Sequence, residues 1–164
     1  MAAVKVCFHT YEFGGVDYRI RSLLNRQQYE DDNGEAERCG ISSASWPLFG
    51  VVWPSGELLA SLMVDHDIQG KRILEVGCGL GLASMVLSHR LADITATDIH
   101  PRAEGFLAEN IKLNKSGHIP FVRVGWVDEE CELGKYNLII GSDLLYEPDQ
   151  AHELAQFIEQ HATL

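Results

Sequence analysis

Paired cysteines, long apolar runs and clustered positive charge are all missing from this chain. Its four cysteines, Cys7, Cys39, Cys78 and Cys131, are scattered with no C-x-x-C pair, so neither a zinc cluster nor a disulfide framework is indicated and reduced thiols are expected. Its seven histidines include no H-E-x-x-H or comparable spacing, and no metal is expected. No stretch approaches the roughly 18 apolar residues of a membrane span, and the Met1-Ala2-Ala3-Val4-Lys5 start lacks the apolar core of a signal peptide. The expected location is therefore cytoplasmic, with no membrane partner. Lys and Arg number 13 against 24 Asp and Glu, a net charge of −11. With no basic cluster to offset it, that charge would repel a phosphate backbone, and no nucleic acid partner is expected. A basic or neutral substrate is favoured, although excess acid also serves solubility alone.

What is present is enough apolar material, 46% of 164 residues, to build one soluble globular unit. Residues 4–13 and 16–24 are β-like runs on either side of Gly14-Gly15, which predicts an amino-terminal hairpin. Residues 27–40 are polar, acidic and aperiodic, the pattern of a solvated loop or mobile lid. These features set 1–45 apart from 46–164. Trp46 to Gly56 is dense in aromatics and turn formers, and Ser55 is placed to cap a helix that buries Leu58, Leu59, Leu62 and Met63. From there strands (72–76, 93–97, 121–124, 136–141) alternate with helices (80–91, 101–113, 148–161). That alternation predicts an α/β fold, a mostly parallel sheet with helices on both faces.

The chemistry sits at three strand ends. In Ile73-Leu74-Glu75-Val76-Gly77-Cys78-Gly79-Leu80-Gly81, an apolar strand runs through three glycines into a helix. The glycines let backbone approach a ligand, and the helix N-terminus offers free N–H groups. Either a dinucleotide or an adenosyl ligand would suit such a turn. A G-x-G-x-x-G fingerprint starting at Gly77 needs glycine or alanine where Leu82 stands, and the carboxylate of Glu75 would repel a pyrophosphate but attract the ammonium of a methionine moiety. The pattern therefore favours S-adenosylmethionine. About 20 residues on, Asp98 ends the second strand, where a carboxylate can accept both ribose hydroxyls; capping the next helix is its alternative role. A third element is the fourth strand, which ends in Gly141-Ser142-Asp143-Leu144-Leu145-Tyr146, with Asp143 and Tyr146 at the carboxyl edge, or else capping the helix that follows.

Taken together, E-V-G-C-G-L-G, Asp98, the D-x-x-Y of Asp143 to Tyr146 and the upstream Val52-Trp53-Pro54-Ser55-Gly56 resemble the class I, seven-strand methyltransferases of family 16. That group includes protein-lysine methyltransferases and relatives similar to nicotinamide N-methyltransferase. The resemblance runs from about Trp46 onward and implies a Rossmann-like sheet. It further implies that Trp53 borders the cofactor, Gly77 and Gly79 line its methionine end, Asp98 holds the ribose, Trp126 flanks the adenine and Ser142 touches the cofactor from the fourth strand. Gly125 departs from the family, which often has Asp before this tryptophan; Asp128 is the substitute at hand. S-adenosylhomocysteine would be the product, Asp143 and Tyr146 the acceptor-side residues, and a protein lysine or a small amine the acceptor.

Family members resembling this chain continue with further strands after the helix that follows D-x-x-Y. The expectation is thus a domain truncated at its carboxyl end, or a natural short form, with those strands missing. The fourth strand would then lie at an open edge with Leu138, Ile139 and Ile140 lacking a neighbour, an invitation to dimerise. A cofactor-binding domain without turnover and, more remotely, a dinucleotide oxidoreductase are the competing readings.

Overall fold

A computed structural model describes residues 5–25, 34–43, 45–128 and 133–163. Strands β1 (Val6–Phe13) and β2 (Val16–Leu23) pair antiparallel from Val6 opposite Leu23 to Phe13 opposite Val16. Gly14 and Gly15 make the turn at φ 59° and 77°, values that suit a two-residue hairpin. On β2 the buried Tyr18, Ile20 and Ser22 alternate with Asp17, Arg19 and Arg21, and Tyr18, Ile20 and Leu23 enter the main core. Residues 27–33 of the expected acidic loop, and Cys131, lie outside the described residues. Glu35–Arg38 forms a one-turn helix, α1, and Cys7, Cys39 and Cys78 are free thiols.

The remaining strands are β3 (Arg72–Val76), β4 (Asp93–Asp98), β5 (Phe121–Arg123) and β6 (Leu138–Gly141). They form a parallel sheet in the order β5-β4-β3-β6. Helices α2 (Pro54–Asp65), α3 (Leu82–His89), α4 (Ala103–Asn114) and α5 (Gln150–His161) accompany it. Successive side chains of a strand point to opposite faces. Accordingly Ile73 joins a core with Met63, Met85 and Leu107 from α2, α3 and α4, while Leu74 and Val76 join another with Phe157 of α5. A sheet covered on both faces explains why β3 is buried at every position after Arg72, Glu75 included. The chain steps outward from β3 to β5 and then returns to place β6 on the other side of β3. That reversal opens a crevice at the carboxyl ends of β3 and β6, where open α/β sheets hold their ligands.

Three expectations change. Helix α2 is capped by the extended backbone of Trp53 with no side-chain cap, Pro54 takes the first helical position, and Ser55 falls inside the first turn. Proline suits that position because its missing N–H has no partner there anyway. The helix buries Ala60 and Met63, but Leu58 and Leu62 remain 62% and 59% exposed, because α2 packs on α3 and those two residues lie round the helix from the contact. The third change concerns β6. Ile140 is buried, Leu138 and Ile139 pack into the two cores, and Tyr136 is met by Ala162 in a parallel bridge, with Tyr136 N–H donating to His161 O and Thr163 N–H to Tyr136 O, both at 2.8 Å. The side chains of Leu138, Ile139 and Ile140 are thus covered, while the outer backbone edge of this strand pairs with no other strand among the described residues. None of the described helices is long and apolar enough to cross a membrane.

Candidate functional site

Strand β3 passes into α3 through glycines with left-handed backbones, Gly77 (φ 62°), Gly79 (φ 54°) and Gly81 (φ 78°). A side chain at Gly77 would strike Leu144 at 2.4 Å, and one at Gly81 would strike Leu107 at 2.2 Å. Gly79 has open space around it. Its N–H donates to Asp98 Oδ2 at 2.8 Å, while Asp98 Oδ1 accepts the N–H of His100 at 2.8 Å. Asp98 thus braces the loop from the end of β4. It does not cap α4, whose cap is Arg102. Glu75, 5% exposed, accepts the backbone N–H of Ser84 at 2.8 Å and the Ser84 hydroxyl on the same oxygen. Burial pushes its carboxyl up to about 7, against the pull of those Ser84 bonds. Burial likewise raises Asp98, opposed by the N–H groups of His100 and Gly79.

Just beyond β6, Asp143 sits at φ 49°, a left-handed conformation that aspartate adopts more readily than most residues with a side chain. Its Oδ2 accepts a hydrogen bond from the Ser55 hydroxyl. Helix α5 starts at Gln150 with Asp149 as its cap, and Gln150 Oε1 accepts the N–H groups of Tyr146 (2.7 Å) and Glu147 (3.1 Å). Neither Asp143 nor the Tyr146 side chain is used as a cap. Tyr146 is 46% exposed, and its phenol is raised by burial first and then by the charges of Asp143 and Asp98. A phenol above its usual value of about 10 stays protonated at neutral pH, a donor and not a base.

The facing wall comes from residues 39–53. Ser42 and Ser45 donate to Glu147 Oε1 at 2.7 and 3.3 Å, and Glu35 pairs with Arg102 at 3.5 Å. Phe49 stacks on His100 at 3.9 Å between centroids, with Trp46 edge-on at 6.4 Å. The Trp53 indole donates to Leu48 O at 3.1 Å. Beyond β5, Asp128 turns back to accept the N–H of Gly125, beside the half-buried Trp126.

These walls enclose a cavity of about 460 Å³, within the roughly 300–1,000 Å³ of small-ligand sites. Trp53, Glu75, Gly77, Gly79, Asp98, Trp126, Ser142, Asp143 and Tyr146 all line it; Gly81 does not, and serves instead as the N-cap of α3 against Leu107. Seven carboxylates line the cavity, those of Glu75, Asp98, Asp128, Asp143, Glu147, Asp149 and Glu153, and among the described residues no Lys or Arg does. Such a lining attracts cations.

A family model described as Lysine methyltransferase matches residues 44–163. This chain belongs to that family. Protein N-lysine methyltransferase METTL21A of Danio rerio is 32% identical over 128 residues, covering 71% of this chain and 58% of that protein. Electron transfer flavoprotein beta subunit lysine methyltransferase of Mus musculus is 28% identical over 128 residues, covering 76% and 49%. The chain spans about half the length of these relatives. Among solved structures it shares the fold of the T. thermophilus 16S rRNA N2 G1207 methyltransferase RsmC in complex with AdoMet and guanosine, at TM-score 0.66 and 16% identity, over 98% of this chain and 40% of that one. Magnesium protoporphyrin IX methyltransferase from Synechocystis with bound SAM superposes at TM-score 0.53 and 17% identity, over 81% and 73%.

Several cavity residues of this lysine methyltransferase family member escape a reading by motif. Ser42, Ser45, Glu147 and His100 stand in no recognisable spacing, and only folding brings residues 42 and 45 against residue 147. The aromatic density around Trp46 was their one signal. Ser55 stands in a capping pattern but does not cap the helix.

Proposed function

We propose that this chain uses S-adenosylmethionine to methylate the side-chain amine of a lysine in a protein substrate. The observation that carries the reading is the cavity at the strand reversal, lined by seven carboxylates and by no Lys or Arg among the described residues. An anionic cofactor would be repelled there, whereas a sulfonium and an ammonium are both cations. The cofactor fits the residues present. Gly79 leaves open space for close approach, Glu75 faces its ammonium, Asp98 its ribose hydroxyls, and Trp126 its adenine. Trp53, Gly77 and Ser142 border it, and Asp128 supplies polar contact beside Gly125. Bound there, the cofactor supplies an already activated methyl group and leaves as S-adenosylhomocysteine.

The protein's task is alignment, deprotonation and exclusion of water. A lysine with its usual pKa near 10.4 must lose a proton before it can attack, at roughly 4 to 5 kcal/mol at pH 7. Asp143 meets the incoming ammonium by a charged hydrogen bond, orients the nitrogen and passes the proton it sheds to solvent at the exposed mouth before attack. Tyr146, protonated, shapes the same mouth as a donor. The family match and the protein-lysine methyltransferases among its relatives support this assignment. The open backbone edge of Leu138–Gly141 is the surface on which a second copy would pair; sedimentation as a monomer excludes that part.

Incubation of the chain with S-adenosylmethionine labelled on the methyl group and a cell lysate tests the proposal. Label is expected in the protein fraction, on lysine. Label confined to small molecules would replace this reading with a small-amine methyltransferase, and cofactor binding without any label would leave a binding domain without turnover.

A further inference from the structure

We infer that Ser55 is a positioning residue for methyl transfer, acting through Asp143. The inference rests on the proposed acceptor-side role of Asp143. A serine just ahead of an apolar helical run ordinarily spends its hydroxyl on the helix's own N–H groups. Here it does not: α2 is left with no side-chain cap, and the Ser55 hydroxyl reaches across 88 positions of sequence to Asp143 Oδ2. The neighbouring turn is equally close, since a side chain at Gly56 would lie 3.8 Å from Ser142 Oγ.

Asp143 requires such a hold. It is exposed and lies in the bend two residues beyond the end of β6, outside the regular hydrogen bonding of the strand. Its backbone is in the left-handed region, which surrounding structure must sustain. Ser55 engages one carboxylate oxygen. The other, Oδ1, accepts no hydrogen bond from the described residues, and Asp143 lines the cavity. A carboxylate fixed through one oxygen presents the second in a defined direction, which is the requirement for orienting an ammonium. Glu147, four residues on, is held in the same manner by Ser42 and Ser45. Ser42, Ser45 and Ser55 therefore hold two acids of this wall, Glu147 and Asp143, and Ser55 serves the one nearer the chemistry.

The test measures initial rates of labelled methyl transfer from S-adenosylmethionine into the protein fraction. It uses the chain with Ser55→Ala, Ser55→Thr, Asp143→Asn, and Ser55→Ala combined with Asp143→Asn. Ser55→Ala is expected to lower kcat about tenfold, while the KM and calorimetric Kd for S-adenosylmethionine stay within twofold and the unfolding midpoint does not move. Ser55→Thr, which keeps the hydroxyl, restores at least half the rate. In the Asp143→Asn background the alanine change costs nothing more, because the group it acts through is gone. A full rate for Ser55→Ala beside a slow Asp143→Asn overturns the role of Ser55 alone. So does the same tenfold loss in both backgrounds, or a loss that follows weakened cofactor binding and a lowered midpoint. A full rate for Asp143→Asn, or no label from the unmodified chain, removes instead the acceptor-side reading beneath it.

Discussion

The two walls of the cavity are built on different principles. On the glycine side, Glu75 and Asp98 are held by backbone N–H groups of Ser84, Gly79 and His100, with the neighbouring Ser84 hydroxyl added on Glu75, and β3 is buried from Ile73 to Val76. On the other side, Asp143 and Glu147 are exposed and held by serine hydroxyls from a distant segment. A buried carboxylate bonded to backbone can shift only if the strand and helix around it shift. An exposed one bonded to a side chain can be released by a single substitution. The first wall suits a ligand that is the same at every turnover, the second an acceptor that must enter and leave.

Substitutions should expose this asymmetry. The largest effect belongs to Gly81→Ala, where an added Cβ meets the buried Leu107 at φ 78°. Chemical denaturation should show a loss of about 3 to 4 kcal/mol from strain and overpacking. Next is pH. The Glu75 carboxyl lies at about 7 in the folded chain against 4.5 unfolded, so the folded state holds its proton longer. The stability tied to that proton is fully present below about 4.5 and lost as pH rises through about 7. The loss amounts to about 3 kcal/mol, and Asp98, raised by the same burial, adds in the same direction. Denaturation between pH 5 and 8 should show this slope, and Glu75→Gln should flatten it. On the proposed contact of Glu75 with the cofactor's ammonium, which favours the ionised carboxylate, cofactor affinity should run the opposite way and weaken as pH falls below about 7.

Asp98→Ala comes third, weakening S-adenosylmethionine binding by about 1.5 to 3 kcal/mol in calorimetry through loss of charged hydrogen bonds. An unchanged Kd would remove Asp98 from the ribose. Tyr146→Phe is smaller and falls on the other wall: kcat drops about tenfold, near 1.4 kcal/mol, with cofactor Kd unchanged and no alteration in the pH profile, since the phenol is not the base. A lost acid or alkaline limb would contradict that. The smallest effect is Glu147→Gln, which weakens the anchor of Ser42 and Ser45 by under about 1 kcal/mol, as exposed pairs do. Faster proteolysis within residues 39–45 with unchanged global stability would show it.

The same asymmetry decides how much could be read in advance. The strand–glycine–helix passage, the carboxylate ending β4 and the D-x-x-Y at the end of β6 are local, and each lies where its motif implies. The hairpin is local too, set by Gly14-Gly15 and the alternation of β2. The cap of α2 lies two residues before Ser55 because proline at the first position competes with serine for the start. The exposure of Leu58 and Leu62 was missed because apolar spacing indicates an apolar face without saying how much of it a neighbour covers.

By itself the sequence determined where the backbone must turn, which strands are buried on both faces, and which carboxylates stand at strand ends. Left-handed turns demand glycine and apolar periods demand a core, and both act over a few residues. Only the tertiary structure decided that Asn110 joins the hairpin to the glycine loop, accepting Arg21 N–H at 2.8 Å and donating to Leu80 O at 3.2 Å. It alone decided that Gly81 braces the loop without lining the cavity, and that Ser42 and Ser45 meet Glu147 while Ser55 meets Asp143. A side-chain hydrogen bond carries no periodic trace along the chain, so its partner exists only once the sheet has brought the two ends together.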